Sequence, residues 1–177
     1  ESIIKKISGC EPLTSLFVSS GSFKIRSNYS RLIDDPTSTS VKCYVSKLKG
    51  SEKHIEKVEV EGNKHFMSWK LVIRSADGKG NDYTRYNFLA APGEVVSESY
   101  CFFPFKTKHE ALNYQSYLET SFHSFLMKLK KSTQRISKPV FEFIPVLDFS
   151  KSWSDSELNK MFGLTAEEIS YINEQVG

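Results

Sequence analysis

Residues 107–131, TKHEALNYQSYLETSFHSFLMKLKK, carry the clearest structural pattern in the chain. Thr107 and Glu110 form a Thr-x-x-Glu pair, which is typical of a capping box at the start of a helix. Behind this pair, apolar side chains recur every three or four residues, at Ala111, Tyr114, Leu118, Phe122, Phe125 and Leu129. This spacing predicts one long amphipathic helix that ends near Lys131 and packs its apolar face on the core.

Two more capping boxes follow near the C-terminus. Ser154 pairs with Glu157, and Thr165 pairs with Glu168. Gly163 lies between the two boxes, at a position that suits the residue just past a helix end. We therefore expect a pair of short C-terminal helices, whose buried face consists of Leu158, Met161, Phe162, Leu164, Ile169 and Ile172.

The strands are predicted from runs of β-branched and aromatic residues. Residues 69–74, WKLVIR, form the clearest run, and a turn signal at residues 77–80, DGKG, follows it. The other predicted strands are residues 16–19, 41–48, 95–103 and 140–144, and residues 2–7 are predicted to be helical. Because strands and helices do not alternate regularly, we expect an α+β fold. It would be a single domain in which a mixed β-sheet packs with the long helix and the C-terminal pair.

Length and composition agree with one globular domain. The chain has 177 residues, of which 39% are apolar, and this is enough for a proper core. It has no apolar run of membrane-spanning length, about 18 residues, and no signal-peptide layout, so we expect a soluble cytoplasmic protein without a membrane partner. Cys10, Cys43 and Cys101 are scattered singly, which favours free thiols over a zinc site.

Positive charge is concentrated in two segments, although the net charge is only +3. Residues 120–141 contain no acid, whereas residues 142–177 are mainly acidic. The first basic segment along the chain is a polar stretch at residues 19–29, and residues 120–141 contain the second. Lysines at a helix end also compensate the helix dipole, so the lysines near residue 130 have a purely structural alternative explanation.

Both basic segments combine the side chains that contact nucleic acids. Lys and Arg neutralise phosphates, Ser and Thr position the backbone, and Arg, Asn and Gln read base edges. The candidate DNA-binding residues are Lys24, Arg26, Ser27, Asn28, Tyr29, Lys128, Lys130, Lys131, Ser132, Thr133, Gln134 and Arg135. No catalytic, cofactor-binding or metal-ligating residue is predicted, because the chain has no glycine-rich phosphate loop, nucleophile elbow or ligand spacing.

Two other functions stay open. Asp77 and Lys79 follow the strand at residues 69–74, as in a metal-dependent nuclease, although a plain hairpin turn explains them better. The basic end of the long helix would also suit a protein-interaction domain that docks on an acidic partner. Trp153 precedes a predicted helix, where an aromatic side chain is usually a packing anchor rather than a base-stacking group.

Several segments resemble motifs in the C-terminal part of adenine-specific DNA methyltransferases of type II restriction-modification systems. Residues 18–29, VSSGSFKIRSNY, are similar to that family's S-S-x-P-F-G-I-R-S/T-N-F/Y stretch. Further similar segments follow in the same order at residues 68–73, 89–100, 126–134, 143–158 and 162–169. One departure is that Ser22-Phe23-Lys24 stands where the family has Pro-Phe-Gly, so we expect a different loop backbone there and draw no base contact from that glycine.

The resemblance implies a two-part enzyme. Its catalytic part binds S-adenosylmethionine and flips the target adenine into an Asn/Asp-Pro-Pro-aromatic pocket. Neither that tetrapeptide nor the glycine-rich cofactor motif occurs in these residues. Residues 1–177 would then be a DNA target-recognition domain, a C-terminal fragment of a longer methyltransferase chain that begins within a helix. We expect no methyl transfer by this part alone, and double-stranded DNA and the upstream catalytic domain as its partners.

Overall fold

A computed structural model describes residues 2–46, 51–76 and 86–177, and it confirms the α+β class. The strands in this part of the chain are β1 (Ser40–Ser46), β2 (Ser51–Glu56), β3 (Trp69–Arg74), β4 (Asn87–Ala90), β5 (Val95–Val96) and β6 (Tyr100–Phe105). The helices are α1 (Ser2–Ile7), α2 (Lys108–Leu118), α3 (Ser121–Lys130), α4 (Asp155–Met161) and α5 (Ala166–Val176). None of these helices has the length and apolar character needed to cross a membrane.

The described strands form two sheets of three strands each, where one mixed sheet was predicted. In the first, β1 pairs antiparallel with β2 and parallel with β5. In the second, β3 lies between β4 and β6 and is antiparallel to both. The predicted strand at residues 95–103 is therefore two strands in different sheets. Ser97 separates them, because its hydroxyl donates to Val45 O at 2.8 Å and its carbonyl accepts from Tyr100 N at 3.2 Å.

Strand β3 separates two hydrophobic cores. Its side chains alternate between the two faces of the sheet. Leu71 and Ile73 belong to a large core beneath the helices. Val72 belongs to a smaller core that also holds Phe23 and Ile25 of the first basic segment. The second core thereby fixes the position of that segment.

The predicted long helix is interrupted at Thr120, so the prediction of one continuous helix is wrong. The Thr120 hydroxyl accepts from His123 N at 3.1 Å and donates to Tyr117 O at 2.7 Å. The Asp155 carboxylate accepts from the next two free amides, Ser121 N and Phe122 N, each at 3.0 Å. These bonds satisfy a complete helix N-terminus, so a new helix begins there.

All three predicted capping boxes are confirmed, at Thr107, Ser154 and Thr165. Trp153 is a packing anchor as predicted, because its ring is buried and its indole N–H donates to Asp148 O at 2.9 Å. Met161 was predicted to be buried but is 54% exposed, since α4 is short and buries Leu158 instead.

Two predicted strands are absent from the described structure. Residues 16–19 follow a short 3-10 helix, Leu13–Ser15, and only Val18 makes an isolated bridge, to Phe102. Residues 140–144 overlap another 3-10 helix, Lys138–Phe141, which has a proline in its first turn. The three cysteines are free, as predicted. The predicted turn at residues 77–80 lies outside the described residues.

Candidate nucleic-acid interface

The first basic segment, residues 19–29, is a loop whose apolar side chains hold it on the smaller core. Phe23 and Ile25 are buried, whereas Lys24 between them is exposed. Lys24 has a φ of 58°, and no other residue except glycine in the described part of the chain has a positive φ. Glycine adopts this left-handed conformation freely, whereas the Cβ of the lysine makes it costly.

Ser27 attaches this loop to the end of the first sheet. Its hydroxyl donates to Val45 O at 2.8 Å and lies 2.7 Å from the Ser99 hydroxyl. The Ile25 carbonyl accepts from Glu98 N at 2.8 Å. Ser27 therefore has a structural role, and its two neighbours, Arg26 and Asn28, are exposed.

The second basic segment continues past α3 into a loop, residues 131–136, which is hydrogen-bonded to the end of β3. Ile136 N donates to Ser75 O at 2.9 Å, and Arg135 forms an isolated bridge with Ala76. Ser75 in turn donates its N–H to Ser99 O at 2.9 Å and its hydroxyl to Glu98 O at 3.1 Å. The short turn at residues 97–99 is thus hydrogen-bonded directly to the first loop and, through Ser75, to the second. We call residues 24–28, 74–76, 97–99 and 132–136 the junction surface.

Cys101 is buried beneath the junction surface, and its thiol interacts with residues of both loops. Burial raises the pKa of the Cys101 thiol to about 12, while a backbone hydrogen bond from Ser20 and the charge of Arg135 act in the opposite direction. Its Sγ also lies 4.0 Å from Ile136 O. Residues about a hundred positions apart in the sequence therefore meet around one buried side chain.

The predicted DNA-binding residues separate into two groups. Those exposed within the two loops are Lys24, Arg26, Ser27, Asn28, Ser132, Thr133, Gln134 and Arg135. The structure therefore brings together the part of each loop that carries arginine and side-chain amides. Within this group, the Thr133 hydroxyl donates to Arg135 O at 3.3 Å, and Ser27 alone is also held by the bonds to Val45 and Ser99 described above.

The second group has partners inside the protein. Lys128 donates to Gln175 O at 2.7 Å, at the end of α5. Lys130 lies 2.9 Å from the Glu142 carboxylate and 4.6 Å from the ring centroid of Phe143. The Tyr29 hydroxyl donates to Glu59 at 3.1 Å. Lys131, at the end of α3, is half-buried.

Arg74 is a candidate that the sequence reasoning missed. It is the last residue of β3, and its guanidinium carbon lies 3.9 Å from the ring centroid of Tyr86. Its Nε is buried and has no hydrogen-bond partner in the described part of the chain. A single arginine at a strand end forms no basic cluster in the sequence, so composition did not mark it. The one available signal was strand alternation, which places Arg74 on the same face of the sheet as Val72.

The alternative nuclease residues, Asp77 and Lys79, lie outside the described residues. Within residues 2–46, 51–76 and 86–177, no group of three or more His, Cys, Asp or Glu side chains is arranged to hold a metal ion. No protein-family model, no curated protein and no solved structure matches this chain. Function is therefore inferred from the junction surface and from the motif resemblance.

Proposed function

We propose that this chain is the DNA target-recognition domain of a type II restriction-modification N6-adenine DNA methyltransferase. It binds double-stranded DNA in the cytoplasm and transfers no methyl group by itself. S-adenosylmethionine would be bound by an upstream catalytic domain of the same polypeptide. The observation that carries the proposal is that two loops, distant in sequence and rich in cations and amides, are joined to the same turn, one directly and the other through Ser75.

The exposed side chains of the junction surface suit both parts of DNA recognition. Lys24 and Arg135 would neutralise phosphates, which supplies affinity without sequence information. Arg26 has the donor fork that fits guanine, and Asn28 or Gln134 fits adenine. The loops are held by backbone hydrogen bonds at Ile25 and Ile136, so these side chains project from a fixed frame.

A salt titration tests the electrostatic part of this proposal. Binding of the chain to a duplex should weaken as salt rises, with a slope of about −0.9 per neutralised phosphate in a plot of log affinity against log salt. Arg135→Ala should weaken binding and flatten this slope by about 0.9. Lys160→Ala is the matched control, because it removes one exposed positive charge from α4 and should leave the slope unchanged.

A base-reading role is tested at Gln134. Gln134→Ala should lower discrimination at one base pair of the preferred duplex by roughly 1 to 3 kcal/mol. Equal weakening across all duplexes would instead assign Gln134 to the DNA backbone.

Other outcomes would favour the alternative functions. Mg²⁺-dependent DNA cleavage that Asp77→Ala abolishes would indicate a nuclease. Failure to bind any duplex even at low salt, combined with retention of the chain on an acidic protein, would indicate a protein-interaction domain. A wild-type affinity that does not fall with salt would contradict phosphate binding.

A further inference from the structure

Glu98 places a carboxylate on the otherwise cationic junction surface. It lies in the turn between β5 and β6, and its side chain is exposed. Its backbone is fixed on both sides: Glu98 N donates to Ile25 O at 2.8 Å, and Glu98 O accepts from the Ser75 hydroxyl at 3.1 Å. Glu98 is therefore bonded directly to the first loop and, through Ser75, to the second.

The Glu98 carboxylate takes no part in the interactions of the described structure. No hydrogen bond or ion pair of its side chain occurs among the described residues, although Arg26 and Arg135 belong to the adjoining loops. Other acids close to basic segments do have partners, such as Glu59 with Arg31 and Glu142 with Lys130. Neither the fold nor a neighbouring cation accounts for an acid at this position.

An unpaired carboxylate opposes phosphate binding, because charges within about 10 Å interact at moderate salt. It contributes favourably on DNA only where it meets a hydrogen-bond donor. In the major groove, cytosine offers its N4 amino group as a donor. Adenine also offers an amino group, but its N7 acceptor lies beside it and repels a carboxylate.

We propose that Glu98 is a specificity-determining residue that accepts a hydrogen bond from the N4 amino group of a cytosine in the major groove. This inference rests on the proposed function. Arg26 follows the residue that bonds Glu98 N, so the two side chains start from adjacent backbone. Arg26 has the donor fork that fits O6 and N7 of guanine. Together they would read one C·G base pair, with glutamate on cytosine and arginine on guanine.

The test uses the whole chain and a pool of duplexes with a randomised central segment. Duplexes retained by the wild type are sequenced, and affinities are then measured by fluorescence anisotropy for the selected duplex and all its single base-pair variants. We expect one C·G pair whose replacement weakens wild-type binding about 5- to 150-fold. In Glu98→Ala, this penalty should shrink to the part that Arg26 contributes through guanine, and the affinity for unselected duplexes should rise because one repulsive charge is lost.

Two further variants separate base reading from charge alone. Glu167→Ala removes an exposed acid from the first turn of α5 and should leave both the selectivity and the affinity unchanged. Glu98→Gln removes the charge but keeps a side chain of the same length, and it should shift the preference at the same base pair from cytosine toward adenine, which a side-chain amide can contact twice. Thermal unfolding of Glu98→Ala should match the wild type, since its side chain has no partner in the described structure.

The possible failures are distinguishable. If the wild type selects a sequence and Glu98→Ala keeps every single-base preference at its full size, the inference is overturned and the proposed function stands. An equal gain in affinity for all duplexes, with selectivity retained, would make Glu98 only a repulsive charge. If the wild type binds no duplex, both the proposed function and the inference are wrong.

Discussion

Replacement of Lys70 by methionine should remove a pH dependence of stability that this one residue creates. Lys70 lies on β3 and is completely buried. Its Nζ donates to Ser68 O at 2.8 Å and Phe66 O at 3.2 Å, and it lies 5.9 Å from the ring centroid of Phe23. Burial lowers the pKa of this ammonium from 10.5 to about 8, while the charge of Glu94 acts in the other direction.

The size and sign of the effect follow from this pKa. The difference between 10.5 and about 8 corresponds to about 3 kcal/mol of destabilisation whenever Lys70 is charged in both states. That penalty is complete below pH 8. Between pH 8 and 10.5 the unfolded chain binds more protons than the folded one, so the free energy of unfolding rises with pH. From pH 7.5 to 9.5 the gain from Lys70 should be about 2 kcal/mol.

Urea unfolding at these two pH values measures the gain. We expect the wild type to gain about 2 kcal/mol relative to Lys70→Met, which has no titrating amine. Lys160→Met makes the same substitution at an exposed position and should keep the wild-type rise. A Lys70→Met protein whose stability rises with pH as steeply as the wild type would refute the assignment of this effect to the buried amine.

Two further predictions concern stability. Lys24→Gly should raise the free energy of unfolding by about 0.5 to 1 kcal/mol, because the relief of the left-handed backbone outweighs the greater flexibility of the unfolded chain. Lys24→Ala keeps the Cβ and should not raise it. Thermal unfolding of both variants measures the difference. Asp155→Ala should lower the free energy of unfolding, measured in urea, by about 2 to 3 kcal/mol, since the amides of Ser121 and Phe122 lose a charged acceptor. Glu167→Ala should lower this free energy far less. An Asp155→Ala protein as stable as the wild type would contradict the capping role.

Helix starts could be predicted where the capping residues are close in sequence. The Thr107, Ser154 and Thr165 boxes each need only one partner three residues away, and all are present. The interruption at Thr120 could not be predicted in this way. Apolar residues keep their helical spacing across it because α2 and α3 pack on the same core. The acceptor for Ser121 N and Phe122 N is Asp155, which lies 34 residues after Ser121 in the sequence.

The sheets show the same contrast between local and distant information. Residues 69–74 form a strand as predicted, because the segment itself is apolar and β-branched. Which strands pair depends on contacts between distant segments, such as the parallel pairing of β1 with β5. The meeting of the two basic loops has the same origin. Each loop was identified from its own composition, but Ser75 and the turn at residues 97–99, which join them, gave no local signal.

The charge pattern of the sequence acquires a different meaning in the folded chain. In the sequence, residues 120–141 carry positive charge without any acid, and residues 142–177 are mainly acidic. In the folded chain, the acidic segment supplies partners for several lysine side chains: Glu168 pairs with Lys6, Glu142 pairs with Lys130, and the end of α5 accepts a hydrogen bond from Lys128. Charges paired in this way contribute little to the field that a distant anion meets.

Among the described residues, the cations of the junction surface are not paired with acids in this way. Arg74 stacks on Tyr86 rather than on an acid, and Arg26 and Arg135 are exposed in loops that the backbone holds in place. An approaching duplex would therefore meet its strongest attraction at the loops rather than at the end of α3, although the lysines are more densely packed in sequence at the helix end. Loss of Lys130 should accordingly flatten the salt slope less than loss of Arg135.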